Sequence, residues 1–327
     1  NLHSVAVNSG TSALHLLLLA NNIGSGHEVI VPSFSFAATA NSVELTGAST
    51  VFADIDPSTF CIDPNHVESL ISNKTRAIMA VHLYGMPANM PNLVEIAKRH
   101  GLLLIEDAAH SIGSLYKNKP VGQIADLTTF SFFPTKNFTT GEGGAVASIN
   151  PDLLEKAKRF SRQGIVRNAD QFLLNADGPW HQEVHDFGLN YRLPDILCAL
   201  GISQLQRIEE IKESRLRIHK AYSEAFQEDS RIRFLKANPN TRPMWHLFPI
   251  FVRDRDRIFQ SLRNQEIGVQ VNYVPANSHP VFRRSGYEHV NLRNSENFYS
   301  QEISLPIFKG LDNKRLDAII ESVKNSL

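Results

Sequence analysis

At 327 residues the chain is long enough to bury a sizeable core and to form two domains. Hydrophobic residues make up 42% and charged residues 20%, the mix of a soluble globular protein. Lys plus Arg is 33 and Asp plus Glu is 33, with no basic run, which excludes the usual electrostatic footprint of a nucleic-acid binder.

Two cysteines, Cys61 and Cys198, have no CxxC spacing and cannot build a disulfide framework. They read as reduced, buried, cytosolic thiols, and no metal site is expected. No apolar run approaches the roughly 18 residues of a membrane span, and no signal peptide is visible. A cytoplasmic location is therefore expected. The chain begins directly on a strand-like run, so residues before Asn1 are expected as well.

Residues 3–7 alternate into a short strand, and the small, hydroxyl-rich turn Ser9, Gly10, Thr11, Ser12 runs straight into a helix over 13–20. Free amides, the helix dipole and nearby hydroxyls suit an anion there, although an ordinary Ser/Thr cap has the same pattern. No GK[ST] follows, so this is no Walker loop. A GxGxxG is also missing, which disfavours a nicotinamide oxidoreductase. Residues 29–31 form a buried strand, and Phe36 sits after its end, placed to stack on a flat ligand or to fill the core. A strand over 49–53, a helix over 67–72, a strand over 76–81 and a helix over 90–100 follow. Four apolar residues, Leu102 to Ile105, read as a strand buried on both faces that delivers Glu106 and Asp107 to its C-terminal edge. In an open α/β sheet that edge lines the ligand crevice.

The stretch 126–148 frames a single lysine. Strand-like residues 127–132 and 145–148 flank a loop that holds Pro134, three Thr, three Gly and Lys136. Phe132, Phe133 and Phe138 are placed to desolvate that amine, which lowers its pKa and favours the nucleophilic neutral form. Up to Ser148, seven strand-like segments alternate with helices, the pattern of a doubly wound α/β domain. A helix over 153–162 leads to an irregular run, 163–187, long enough to be functional. Residues 186–211 carry the longest amphipathic helical pattern, and its stripe Ile196, Leu197, Leu200, Leu205 reads as internal packing. From residue 214 a smaller α+β domain is expected, with a helix over 216–226, strands near 245–252 and 268–273, and a terminal helix over 314–326.

A phosphate-suited helix start, a carboxylate at a strand end and a lysine on a Gly-rich loop all fall where an α/β sheet puts its crevice. Pyridoxal phosphate (PLP) accounts for all three, with its phosphate, its ring nitrogen and its lysine-reactive aldehyde.

SGTSAL, VPSFSFAATANSV, VHLYG, IEDAAHSIGS, FSFFPTKN, GEGG and GLNYRLPD…CALGISQL, in that order, resemble the DegT/DnrJ/EryC1/StrS sugar aminotransferases. The resemblance spans nearly the whole chain. It implies the aspartate-aminotransferase-like PLP fold (fold type I): a mostly parallel seven-stranded sheet in a PLP-binding α/β domain, 1–213, and a smaller C-terminal α+β domain, 214–327. Lys136 would condense with the cofactor and Asp107 would partner its ring nitrogen. His110 would bond its phenolic oxygen, and Phe36 would stack on its ring. Gly10, Thr11, Ser12 and Ser131 would surround its phosphate. Asn190 would reach the cofactor of a neighbouring subunit, making a homodimer with shared sites. The run 163–187 would help cover a nucleotide-linked sugar, and L-glutamate would be the amino donor, with Arg192 a candidate for its carboxylate. GPWHQE, VNYVP…HPVFRRSGY and NSENFYSQEISLP are most similar to the subgroup that aminates C4 of UDP-4-keto-6-deoxy-N-acetylhexosamines. The sequence departs from the family pattern at Gln163 and Gly164, where RxHG is frequent, and from the C4 subgroup at Asn272 and Asn277, where His is common. A sugar 3-dehydratase of the same family would carry His in place of Lys136. A non-catalytic regulatory homologue would have no need of a complete set of cofactor residues.

Overall fold

The computed structural model describes residues 2–327. In chain order the first half gives β1 (His3–Val7), α1 (Gly10–Ala20), β2 (Glu28–Pro32), α2 (Ala38–Glu44), β3 (Ser49–Ala53), α3 (Pro64–Ser69), β4 (Thr75–Val81), α4 (Met90–His100), β5 (Leu103–Asp107), β6 (Leu127–Ser131) and β7 (Gly144–Ser148). The seven strands form one sheet in the order β1-β7-β6-β5-β4-β2-β3. Pairs among β2 to β6 are parallel, and β7 is antiparallel to both of its neighbours. The sequence pattern had called for these seven strands and this mostly parallel sheet.

Strand periodicity sorts the apolar residues onto two faces. Val29, Val31, Ala77, Met79 and Ile105 join one core with α1. Their neighbours Ile30, Ile78 and Leu104 join a second, larger core. Both faces are therefore covered, which is why these strands read as continuous apolar runs. In α1, Leu16, Leu17 and Leu18 are all fully buried, each contributing roughly 1.5–3 kcal/mol. This helix is apolar all round because it lies between the sheet and its neighbours α2 and α5 (Asp152–Phe160).

Beyond α6 (Asp195–Leu205) and α7 (Ile208–Phe226), three short strands, β8 (Arg233–Phe234), β9 (Phe248–Phe251) and β10 (Glu302–Leu305), make an antiparallel sheet. It packs with α8 (Arg255–Asn264), α9 (Arg293–Tyr299) and α10 (Asn313–Ser326). Tyr222, Phe248 and Ile303 share the larger core with Ile30 and Ile78, so one apolar interior joins the two halves.

Several expectations shift. The helix placed at 67–72 begins earlier, at Pro64, where Asp63 caps it. The run 186–211 is divided by a break at 206–207, and α7 is one helix across residues 213 and 214. Among the described residues nothing covers the stripe on α6: Ile196 is 79% exposed, and Leu200 and Leu205 are exposed as well. Cys61 is buried, whereas Cys198 is half-buried. Residues 268–273 are not a strand but make one isolated bridge, Gln270 to Ser304. The amide of Asn272 donates instead to the Glu302 carboxyl group, and its carbonyl accepts from the Tyr84 phenol, so side chains replace a ladder. Among the described residues no helix is long and apolar enough to cross a membrane.

Candidate active site

A cavity of about 390 Å³ opens at the C-terminal ends of the parallel strands, where an open α/β sheet places its ligand crevice. Its lining includes Gly10, Thr11, Phe36, Asp107, His110, Ser131 and Lys136, which lie far apart in sequence.

The start of α1 forms one end. Ser9 caps the helix by accepting from the Ser12 amide, and the two hydroxyls pair at 2.8 Å. The Ser12 hydroxyl is thereby engaged inside the turn, and Ser12 is not among the residues that line the cavity. The amides of Gly10 and Thr11 lie at the open end of the helix, with the Thr11 hydroxyl beside them. Gly10 is needed for a close approach: a Cβ there would sit 2.6 Å from the Cβ of Ser131, the last residue of β6. The helix start and the Ser131 hydroxyl are thus brought together, an arrangement that fits a phosphate.

Asp107, the last residue of β5, is buried. The Thr39 hydroxyl donates to its Oδ2 at 2.8 Å and the Ala109 amide to its Oδ1 at 3.2 Å. Burial pushes its pKa up, and those two bonds, Lys136 and His82 oppose the rise. Glu106, one residue earlier, points to the other face. It accepts from His82 at 2.9 Å and from the Gly122 and Ala125 amides. Burial alone would raise its pKa, but these partners hold it below the usual value. Strand alternation therefore assigns one acid to the cavity and the other to the frame.

Lys136 sits on a tight loop. The Thr140 amide and the Thr139 hydroxyl both donate to the Phe132 carbonyl, and the Lys136 amide donates to Phe133. Phe132 and Phe138 pack edge-on beneath, at 4.7 Å. Asn137 fastens the loop from behind by donating to the Met244 carbonyl at 2.6 Å and to that of His110 at 3.3 Å. Burial lowers the Lys136 pKa to about 8, with Asp107 pulling it back up.

His110 is buried, and its Nδ1 accepts from the Tyr84 amide at 3.3 Å. Its Nε2 lies 3.2 Å from the hydroxyl of Tyr273. Tyr273 also lines the cavity and packs at 5.6 Å against Phe36. Sequence reasoning missed Tyr273, Thr39 and His246, the last of which packs on His110 at 4.3 Å.

Asn190 is exposed and outside this cavity, with its Oδ1 accepting from Arg192. Arg192 and the whole of 163–187 are also absent from the lining. Asn277 is buried: it accepts from the Ser33 hydroxyl and donates to the Val290 carbonyl, and it does not line this cavity.

The sequence profile of the DegT/DnrJ/EryC1/StrS aminotransferase family matches residues 1–324. A UDP-4-amino-4,6-dideoxy-N-acetyl-beta-L-altrosamine transaminase of Campylobacter jejuni is 36% identical over 98% of this chain and 86% of its own length. The spore coat polysaccharide biosynthesis protein SpsC of Bacillus subtilis is 35% identical over 99% of this chain and 85% of its own. A Streptococcus pneumoniae protein solved in PMP and PLP forms superposes with TM-scores of 0.92 and 0.91 at 30% identity. Those alignments cover 99% of this chain and 87% and 86% of the solved chains. A cavity with one desolvated amine and one buried carboxyl, at the end of such a sheet, is what a PLP fold of type I provides. The chain belongs to the DegT/DnrJ/EryC1/StrS family of PLP-dependent sugar aminotransferases.

Proposed function

We propose that the chain moves an amino group from L-glutamate to the C4 keto group of a nucleotide-linked 6-deoxy sugar, in the making of amino sugars for surface polysaccharide. The observation that carries this reading is the shared cavity of Lys136 and Asp107 at the start of α1. The residues fit PLP: Gly10, Thr11 and Ser131 would hold its phosphate, Asp107 its ring nitrogen, and Phe36 its face. When bound, PLP supplies a carbonyl that condenses with amines and a protonated ring that takes up the electron pair left by a departing C–H proton.

The chain's own groups supply the rest. Asp107, fixed by Thr39 and Ala109, would hold the proton on the ring nitrogen. Nζ of Lys136 would hold the cofactor at rest, and as a free amine it would accept and return the substrate's C–H proton, a role suited to a pKa of about 8. The two half-reactions balance: glutamate leaves as its 2-keto acid, whose new keto oxygen comes from one water, and the sugar's keto oxygen leaves as one water when the amino group takes its place.

A homodimer completes this reading. Leu173 and Trp180 are exposed on the 163–187 run, and Phe187 at its end is 99% exposed, beside the uncovered stripe of α6. Asn190, outside its own cavity, then serves the partner's cofactor phosphate, and the loop serves the partner's sugar. Borohydride reduction of the PLP-loaded protein, followed by peptide mass spectrometry, is expected to place a pyridoxyl label on Lys136. Label elsewhere would refute the assignment. A panel of nucleotide keto-sugars offered with glutamate then decides C4 against C3.

A further inference from the structure

Hydrogen-bond donors around His110 can be counted. Burial, and after it the Lys136 charge, holds the imidazole neutral, so it carries one proton. Nδ1 accepts from the Tyr84 amide, which puts that proton on Nε2. Nε2 lies 3.2 Å from the Tyr273 hydroxyl oxygen. The one proton of His110 is therefore spent on Tyr273. Among the described residues the phenolic proton of Tyr273 has no acceptor, and it belongs to a side chain lining the cavity.

Tyr273 is also held rigidly. The preceding residue, Asn272, has its amide on Glu302, at 2.6 Å, and its carbonyl on the Tyr84 phenol. Glu302 is completely buried in β10 and accepts as well from the Ser304 hydroxyl at 2.5 Å. Tyr84 thus holds both ends of the pair, His110 through its amide and Asn272 through its phenol. Phe36 packs on the Tyr273 ring. Burial, with Glu302 and Asp107 nearby, keeps the Tyr273 phenol protonated far above neutral pH.

We infer that Tyr273, with His110 orienting it from behind, donates the hydrogen bond that meets the phenolic oxygen of the bound cofactor. This deepens the PLP reading and rests on it. His110 is then a positioning residue, and Tyr273 is the group in contact.

The test compares the cofactor-free protein's affinity for PLP with that for 3-deoxy-PLP, which lacks the phenolic oxygen, by fluorescence titration. Tyr273→Phe is expected to weaken PLP roughly tenfold to a hundredfold, the usual cost of losing a bond to a charged group, and to leave 3-deoxy-PLP unchanged. Equal loss for both ligands, or loss for neither, overturns the proposal. His110→Ala, which keeps the phenol, is expected to lose less PLP affinity than Tyr273→Phe. A larger loss in His110→Ala returns the donor role to His110 and overturns it too. Wild-type protein that binds neither ligand would refute the cofactor reading instead.

Discussion

The Lys136 amine offers the most direct test of the site's electrostatics. Its pKa lies at about 8, because burial strips water from the charged form and Asp107 restores only part of that loss. At about pH 7.5 such a group is roughly 25% neutral, against roughly 0.1% for a lysine near its ordinary value. The neutral fraction is thus raised roughly 200-fold over a surface lysine. Competitive acylation of the cofactor-free protein across pH 6 to 11, read by peptide mass spectrometry, gives the titration of Lys136 beside the exposed lysines as internal controls. A midpoint near 8 is expected. Asp107→Asn removes the opposing charge, so its midpoint is expected to fall further. Titration of Lys136 above about pH 10, or an upward shift in Asp107→Asn, would refute the desolvation argument.

Gly10→Ala forces a Cβ to within 2.6 Å of Ser131, and an overpacked contact of this kind costs roughly 1–3 kcal/mol. PLP affinity is expected to drop roughly tenfold by fluorescence titration while pyridoxal, lacking the phosphate, binds as before. Mixing Lys136→Ala with Asn190→Ala subunits rebuilds one intact site per hybrid dimer if sites are shared. Activity is then expected to recover to about a quarter of wild type, since about half the dimers are hybrids; no recovery argues for self-contained sites. His82→Ala leaves Glu106 buried without its partner, and urea unfolding is expected to show a loss of roughly 3–5 kcal/mol. The Glu302 carboxyl, raised by burial to about 8, is neutral in the folded protein at a pH where the unfolded chain is ionised. Its contribution is therefore full below the ordinary carboxyl range and declines as pH rises towards 8, by an amount on the order of 3–5 kcal/mol. Glu302→Gln is expected to flatten that decline in urea melts run between pH 5 and 8.

The large sheet and the lysine loop were legible because their signals are local. Seven apolar runs alternate with helical ones, and Pro134, the glycines and Lys136 sit within a dozen residues of one another. Asp107 was legible as a strand end, but composition and periodicity did not separate it from Glu106; the family resemblance did, and the direction of the pleat gives the physical reason. For Ser12 the sequence left two readings open, because a capping hydroxyl and a phosphate ligand share one pattern. Tyr273 and Glu302 were illegible for a different reason. Residues 269–273, Val-Gln-Val-Asn-Tyr, alternate as a strand should, and nothing nearby in sequence reveals that a glutamate 30 residues on takes the Asn272 amide. The uncovered stripe on α6 was read as packing because an apolar stripe looks the same whether its cover is the same chain or another.

Long-range contacts also tie the lysine loop to the second half of the chain. Lys136 belongs to the large sheet, yet its neighbour Asn137 is bonded to the Met244 carbonyl, in the segment that leads into β9. That segment is pinned in turn by Arg215 of α7, whose guanidinium donates to the carbonyls of Trp245, His246 and Ile307. The second half of the chain thus holds the lysine loop from behind and adds Tyr273 to the cavity wall, with His246 packed on His110. The Met244–Asn137 contact is where the docking of the two halves reaches the reactive group.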